Sequence, residues 1–210
     1  MVVSAKLQGV SLFAQPPEVF SRFADVLELT PPFEFVALHC PIGLPSEQAH
    51  GGRQCDREAR RLLGSHRGAA IVSPPSRPNL ERADPTGLSA VGRATLPYIR
   101  EVHAAVASYH QRVVFEVHPE LCFYQLNGER PLLHPKSSEE GRLERLTVLQ
   151  KRMPGLDRAL NNKPRAVSFS QLLDACADLW TARRLAARSV LRLPEFPEWN
   201  PDGLKMELVC

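Results

Sequence analysis

Short runs of β-branched and aromatic residues alternate with amphipathic segments along most of this chain. That alternation constrains the fold more than any other feature, because it calls for a mixed or parallel sheet flanked by helices. The clearest junction is RVVFEVHPELCF, residues 112–123. Val113, Val114, Phe115 and Val117 suit a half-buried pleated surface. Pro119 suits the first turn of a following helix, where its missing N–H costs nothing. Glu116, His118 and Glu120 therefore gather where a strand ends and a helix begins, the edge at which open α/β sheets bind ligands.

The same reading extends over the chain. VVSAKL and VSLFA form two strands turning at Gly9. PEVFSRFADVLEL is a helix with Phe20, Phe23, Ala24 and Leu27 on one stripe. FEFVALHC is a third strand, stopped by Pro41, and PIGLP is a loop. RQCDREARRLLG is a helix ending at Gly64 that buries Cys55, Ala59, Leu62 and Leu63. Residues 65–86, rich in Pro, Ser and Gly, make the longest irregular stretch. LSAVGRATLPYIREVHAAVASYH is helical with a kink or restart near Pro97. SSEEGRLERLTVLQKRM has acids in its first turn and bases in its last, as the helix dipole favours. SFSQLLDACADLWTARRLAARSV is the longest helix, and GLKMELV is a short edge strand. No repeat or composition shift divides the chain, so residues 1–210 read as a single domain.

Composition narrows the setting. With 43% hydrophobic and 23% charged residues the chain can bury a core without staples. A net charge of +3 permits a polyanionic partner without requiring one. The 5 cysteines are odd in number and lack a C-x-x-C pair, which fits reduced thiols and a cytoplasmic location. No apolar run approaches the ~20 residues of a membrane span. MVVSAKLQGV is too short and too polar for a signal peptide.

Each candidate residue has a functional and a structural reading. Glu116, at a strand end, suits a hard cation such as magnesium; the alternative is a surface carboxylate. Glu120 is favoured by the helix dipole alone. His118 is a general base or a brace that pins the turn. Asp174 falls at the edge of the stripe Phe169, Leu173, Cys176, Ala177 and Trp180, beside Ala177 and Thr181. It either pairs with a base at the helix boundary or points at a cavity beside the sheet. His39 and Cys40 are adjacent in a strand and point to opposite faces, which excludes a Cys–His dyad. A hydrolase built on Cys40 or Cys55 is a minor alternative, and no ligand pair has zinc-finger spacing. Arg53, Arg57, Arg60, Arg61, Arg67, Arg77 and Arg82 crowd one region, where Asp56, Glu58, Glu81 and Asp84 dilute them into a solvated, salt-bridged face. The chain has neither a G-x-x-x-x-G-K-[ST] nor a G-x-G-x-x-G loop, so nucleotide cofactors lack support.

Taken in order, ALHCPIGLP, RQCDREARRLLG, FEVHPELCF, LLHPKSSEEGRLERL and LLDACADLWTARR resemble one uncharacterised bacterial and archaeal family, described as predicted nucleases of the RNase H-like fold. The resemblance covers most of the chain. It implies an RNase H-like mixed sheet flanked by helices, with carboxylates on the first strand, the fourth strand and the last helix. These hold two divalent ions, magnesium or manganese, for in-line attack on a phosphodiester. It implies Glu116 as the fourth-strand carboxylate and Asp174 as the last-helix one, with Glu120 and His118 in support. Arg57, Arg77 and Lys136 would contact phosphate, and nucleic acid would be the partner. The chain departs from the family in three places. His39 stands where members carry an Asp, Gln171 stands where a second last-helix Asp is common, and the usual first central strand with its Asp is missing. VVSAKL matches the strand that normally follows it. The implied function is thus a divalent-metal-dependent nuclease with an incomplete metal site. The alternative is a non-catalytic nucleic-acid-binding or interaction module on the same fold.

Overall fold

The computed structural model describes residues 1–8, 11–48, 50–81 and 90–210. The chain opens with an antiparallel hairpin of β1 (Ala5–Gln8) and β2 (Ser11–Ala14), with Ala5 opposite Ala14. The expected turn at Gly9 lies outside the described residues. Helix α1 (Phe23–Leu27) is shorter than its apolar stripe suggested. Val2 and Glu18 exchange backbone hydrogen bonds in an antiparallel bridge, which holds the preceding segment extended and leaves Phe20 outside the helix. The Asp25 carboxylate then accepts from the Arg22 backbone N–H and sets the helix start.

Strands β3 (Val36–Leu38) and β4 (Val114–Glu116) pair in parallel, with Leu38 opposite Glu116. Beyond β4, the Val117 N–H donates to the Leu38 carbonyl, and Val117 forms a parallel bridge to Val209. That bridge brings in β6 (Lys205–Val209), whose antiparallel partner is β5 (Arg192–Trp199). β6 therefore lies between β4 and β5, which corrects the expectation of an edge strand for GLKMELV. The edge is β5. Pro194 and Pro197 disguise it in the sequence, and proline belongs on an edge because it cannot donate to a ladder. The architecture is mixed α/β built on small sheets.

Eight α-helices are described. Helix α2 (Gln54–Gly68) is broken as expected at Gly64, whose φ of 68° and ψ of 179° are not helical, but another turn follows. Helix α3 (Arg77–Glu81) interrupts the stretch expected to be irregular, whose residues 82–86 lie outside those described. Helix α4 (Ala90–Ala105) runs through Pro97, and a 3₁₀ turn (Ser108–Arg112) leads into β4. Helices α5 (Pro119–Leu126), α6 (Glu139–Arg152), α7 (Leu156–Asn161) and α8 (Phe169–Ala186) complete the set. The sequence reading omitted α7. Ser138 caps α6 through the Gly141 N–H, and Ser168 caps α8 through the Gln171 N–H.

The main core packs α5, α6 and α8 together, with Phe123, Leu149, Leu172, Leu173 and Cys176 fully buried. A second cluster sets Ile42 and Leu44 of the PIGLP loop against Ile99 and Val102 of α4. A third places Cys55, Ala59 and Leu63 of α2 against Leu121 and Leu208. Each fully buried Leu or Phe contributes about 1.5–3 kcal/mol. Together the three clusters clamp the C-terminal ends of β3 and β4 between α2, α5 and α8. Among the described residues no helix is long and apolar enough to cross a membrane.

Candidate functional site

At the end of β4, His118 is the N-cap of α5. Its Nδ1 accepts from the Glu120 N–H at 3.2 Å, and Pro119 occupies the first turn. The ring proton therefore rests on Nε2, and the backbone of Ala70 also hydrogen-bonds this ring. Both nitrogens are engaged, so His118 braces the junction. His39, leaving β3, meets it edge-on with ring centroids 4.9 Å apart. Burial of the ring, then the charge of Lys136, lowers the His39 pKa from 6.5 to about 4, although the residue as a whole is exposed to solvent, which works against so large a shift. Burial, then His39 and Lys136, holds His118 well below the ordinary range. Both imidazoles are thus neutral at pH 7. An NMR titration should find the His39 midpoint near 4, and Lys136→Ala should raise it by removing a repelling charge. A midpoint near 6.5 in the unaltered protein would contradict this packing.

Lys136 also connects to α8. Its Nζ lies 2.9 Å from Oδ2 of Asp174. The other carboxylate oxygen, Oδ1, is buried and has no hydrogen-bond partner among the described residues. Burial raises the Asp174 pKa, opposed by Lys136 and Arg145. One helical turn on, Asp178 is 7% exposed and receives a hydrogen bond from the Cys122 thiol. Burial, then the neighbouring Asp174 charge, raises its pKa well above the carboxylate range. Asp178 was missed in the sequence, although its spacing of four from Asp174 places both on one helix face.

Glu116 belongs to a different cluster. Arg53 holds both of its oxygens, at 2.6 and 2.8 Å, and the Ile42 N–H donates to it at 2.7 Å. Arg53 also pairs with Asp56 at 2.8 Å and donates to the Ile42 carbonyl. All three charged side chains are buried. Burial pushes the Glu116 pKa up, and Arg53 opposes it. The pair ties the start of α2 and the PIGLP loop to the end of β4. In the sequence Arg53 was one member of a solvated arginine face. No local signal separates it from its neighbours, because its partner lies 63 residues away.

The remaining predicted residues are distributed around these two clusters. Glu120 pairs with the fully buried Arg145 of α6, which also donates to the His134 carbonyl. Arg57 donates to the Gly52 carbonyl. Arg77 pairs with Glu81 at 2.9 Å and with Asp202. Arg82 lies outside the described residues. The structure thus sets His39 against His118, pairs Lys136 with Asp174 within electrostatic reach of both rings, and gives Glu116 and Glu120 arginine partners. Among the described residues, no three His, Cys, Asp or Glu side chains are gathered as a metal ion requires. Cys40 and Cys55 are buried thiols whose pKa burial pushes up, to about 12 for Cys40, which is unfavourable for a nucleophile.

No curated protein and no solved structure matches the chain. The family described as "Protein of unknown function (DUF429)" matches residues 1–198, nearly the whole length, and the chain belongs to that family.

Proposed function

We propose that this protein is a divalent-metal-dependent nuclease of RNase H-like arrangement in which catalysis is impaired. The observation that carries the reading is the Asp174 carboxylate. It is buried on the last helix beside the Lys136 ammonium, with one oxygen unpartnered among the described residues. An unsatisfied buried oxygen costs about 1–3 kcal/mol, so it marks a place suited to a ligand.

The residues fit a magnesium pair poorly. Glu116 has both oxygens taken by Arg53, and His39 stands at a position where the resemblance implies an Asp. Asp174 and His39 are the residues that would hold an ion. Their mixed oxygen and nitrogen donors suit manganese better than magnesium, which prefers oxygen. Such an ion would polarise a phosphodiester oxygen and lower the pKa of bound water. Lys136 would move from Asp174 to a phosphate oxygen, which frees the carboxylate as substrate arrives. His118 would keep the His39 ring in place.

The buried Arg53–Glu116 pair favours a second reading, a non-catalytic nucleic-acid-binding module on the same fold. Purified protein assayed on single- and double-stranded DNA and RNA separates the two. Little or no turnover is expected with magnesium. Weak turnover with manganese that disappears in Asp174→Asn would support the nuclease. Binding without turnover in either metal would favour the module, and absence of both would remove both readings.

A further inference from the structure

A pocket of about 400 Å³ opens between the start of α2 and the end of β5, away from the His39–Asp174 cluster. Its walls include Ser46, Gly52, Arg57, Glu198, Trp199 and Met206. Trp199 is 60% exposed although it lines this pocket, and the Lys205 ammonium sits 5.4 Å from its ring centre. The ammonium lies over one face of the indole, so a further flat π-system would stack on the other face.

The charged residues of the pocket wall are Arg53, Arg57 and Glu198. Arg57 is held by the carbonyl of Gly52, and Arg60, one turn further along α2, by the carbonyls of Gly51 and Ile71. Among the described residues neither forms an ion pair with a carboxylate. Arg53, by contrast, is neutralised by Glu116 and Asp56. Glu198 accepts from the Gln54 N–H at 3.3 Å and so occupies the helix end. The free anion-binding capacity therefore lies on the arginine side chains. Phe196, on the same edge strand, is 80% exposed.

We infer that this pocket takes one unstacked base of a single-stranded nucleic acid on Trp199, with the adjoining phosphate on Arg57. The inference rests on the nucleic-acid reading above and deepens it. It separates strand capture, at Trp199 and Arg57, from the Asp174 cluster. A paired base cannot offer its face, so the pocket selects single strands over duplex.

Trp180→Phe leaves Trp199 as the sole tryptophan, since the chain has two. In that background a short oligothymidylate should quench Trp199 emission saturably. Labelled-oligonucleotide anisotropy gives total binding independently. Trp199→Ala should weaken total binding about tenfold or more. Arg57→Ala should weaken it and reduce the salt slope by about one. Binding by anisotropy with unchanged Trp199 emission would overturn the pocket assignment while leaving the nucleic-acid reading standing. A mononucleotide that binds as tightly as the oligomer would overturn strand capture in favour of a free-nucleotide site. No binding by either measurement would overturn both readings.

Discussion

Arg53→Met is expected to destabilise the fold by about 3–5 kcal/mol, measured as a drop in the denaturant midpoint. The reason is what it leaves behind. Glu116 is 5% exposed and its two oxygens accept from Arg53, with the Ile42 N–H as the one further partner among the described residues. Without the guanidinium, that carboxylate must be protonated or stay charged in a dry site. Arg53 also joins the Ile42 carbonyl to Asp56, so the loop loses its anchor to α2. Adding Glu116→Gln should recover part of the loss, because the stranded charge is removed. A cost of Arg53→Met within about 0.5 kcal/mol of zero, the range of ordinary surface substitutions, would show that the pair does not organise this loop.

Gly141→Ala should be the most damaging of the small substitutions, at about 1–3 kcal/mol or more. A β-carbon at Gly141 would lie 1.9 Å from the Pro135 carbonyl oxygen and 2.6 Å from its carbon. Both are backbone atoms, so the whole His134–Lys136 segment must shift. The effect should reach the candidate site. Lys136 is the next residue and reaches Asp174 at 2.9 Å, while Arg145 donates to the His134 carbonyl at 3.1 Å. As Lys136 moves away, the His39 pKa should rise from its low value, so one titration tests stability and site geometry together. A variant with unchanged midpoint and unchanged His39 titration would mean that α6 and the loop separate without cost.

Much of the local structure was legible because its causes are local. The β-branched run at 113–117, Pro119 at the first turn and the serines before α6 and α8 act within a few residues, and the observed elements start where those signals stand. The stripe on α8 caught the buried Leu173, Cys176 and Ala177, but Asp174 lies within the buried face together with Asp178 and Thr181, and Phe169 is exposed. Where tertiary contacts competed, the local signal lost. The helix expected from PEVF begins late because Glu18 is paired with Val2. β5 was invisible because two prolines contradict a strand signal, and only its edge position makes them tolerable.

Capping and strand propensity depend on neighbouring residues, so the meeting of a carboxylate, an imidazole and a helix start is legible along the chain. What those groups face depends on packing between distant segments. Arg53 reaches Glu116 across 63 residues through the packing of α2 on the sheet. His39 meets His118 because β3 and β4 pair in parallel and in this register. Lys136 reaches Asp174 across 38 residues because the loop before α6 folds over α8. A charge's partner depends on a few ångströms of three-dimensional placement and on the dielectric there. No periodicity along the chain encodes either.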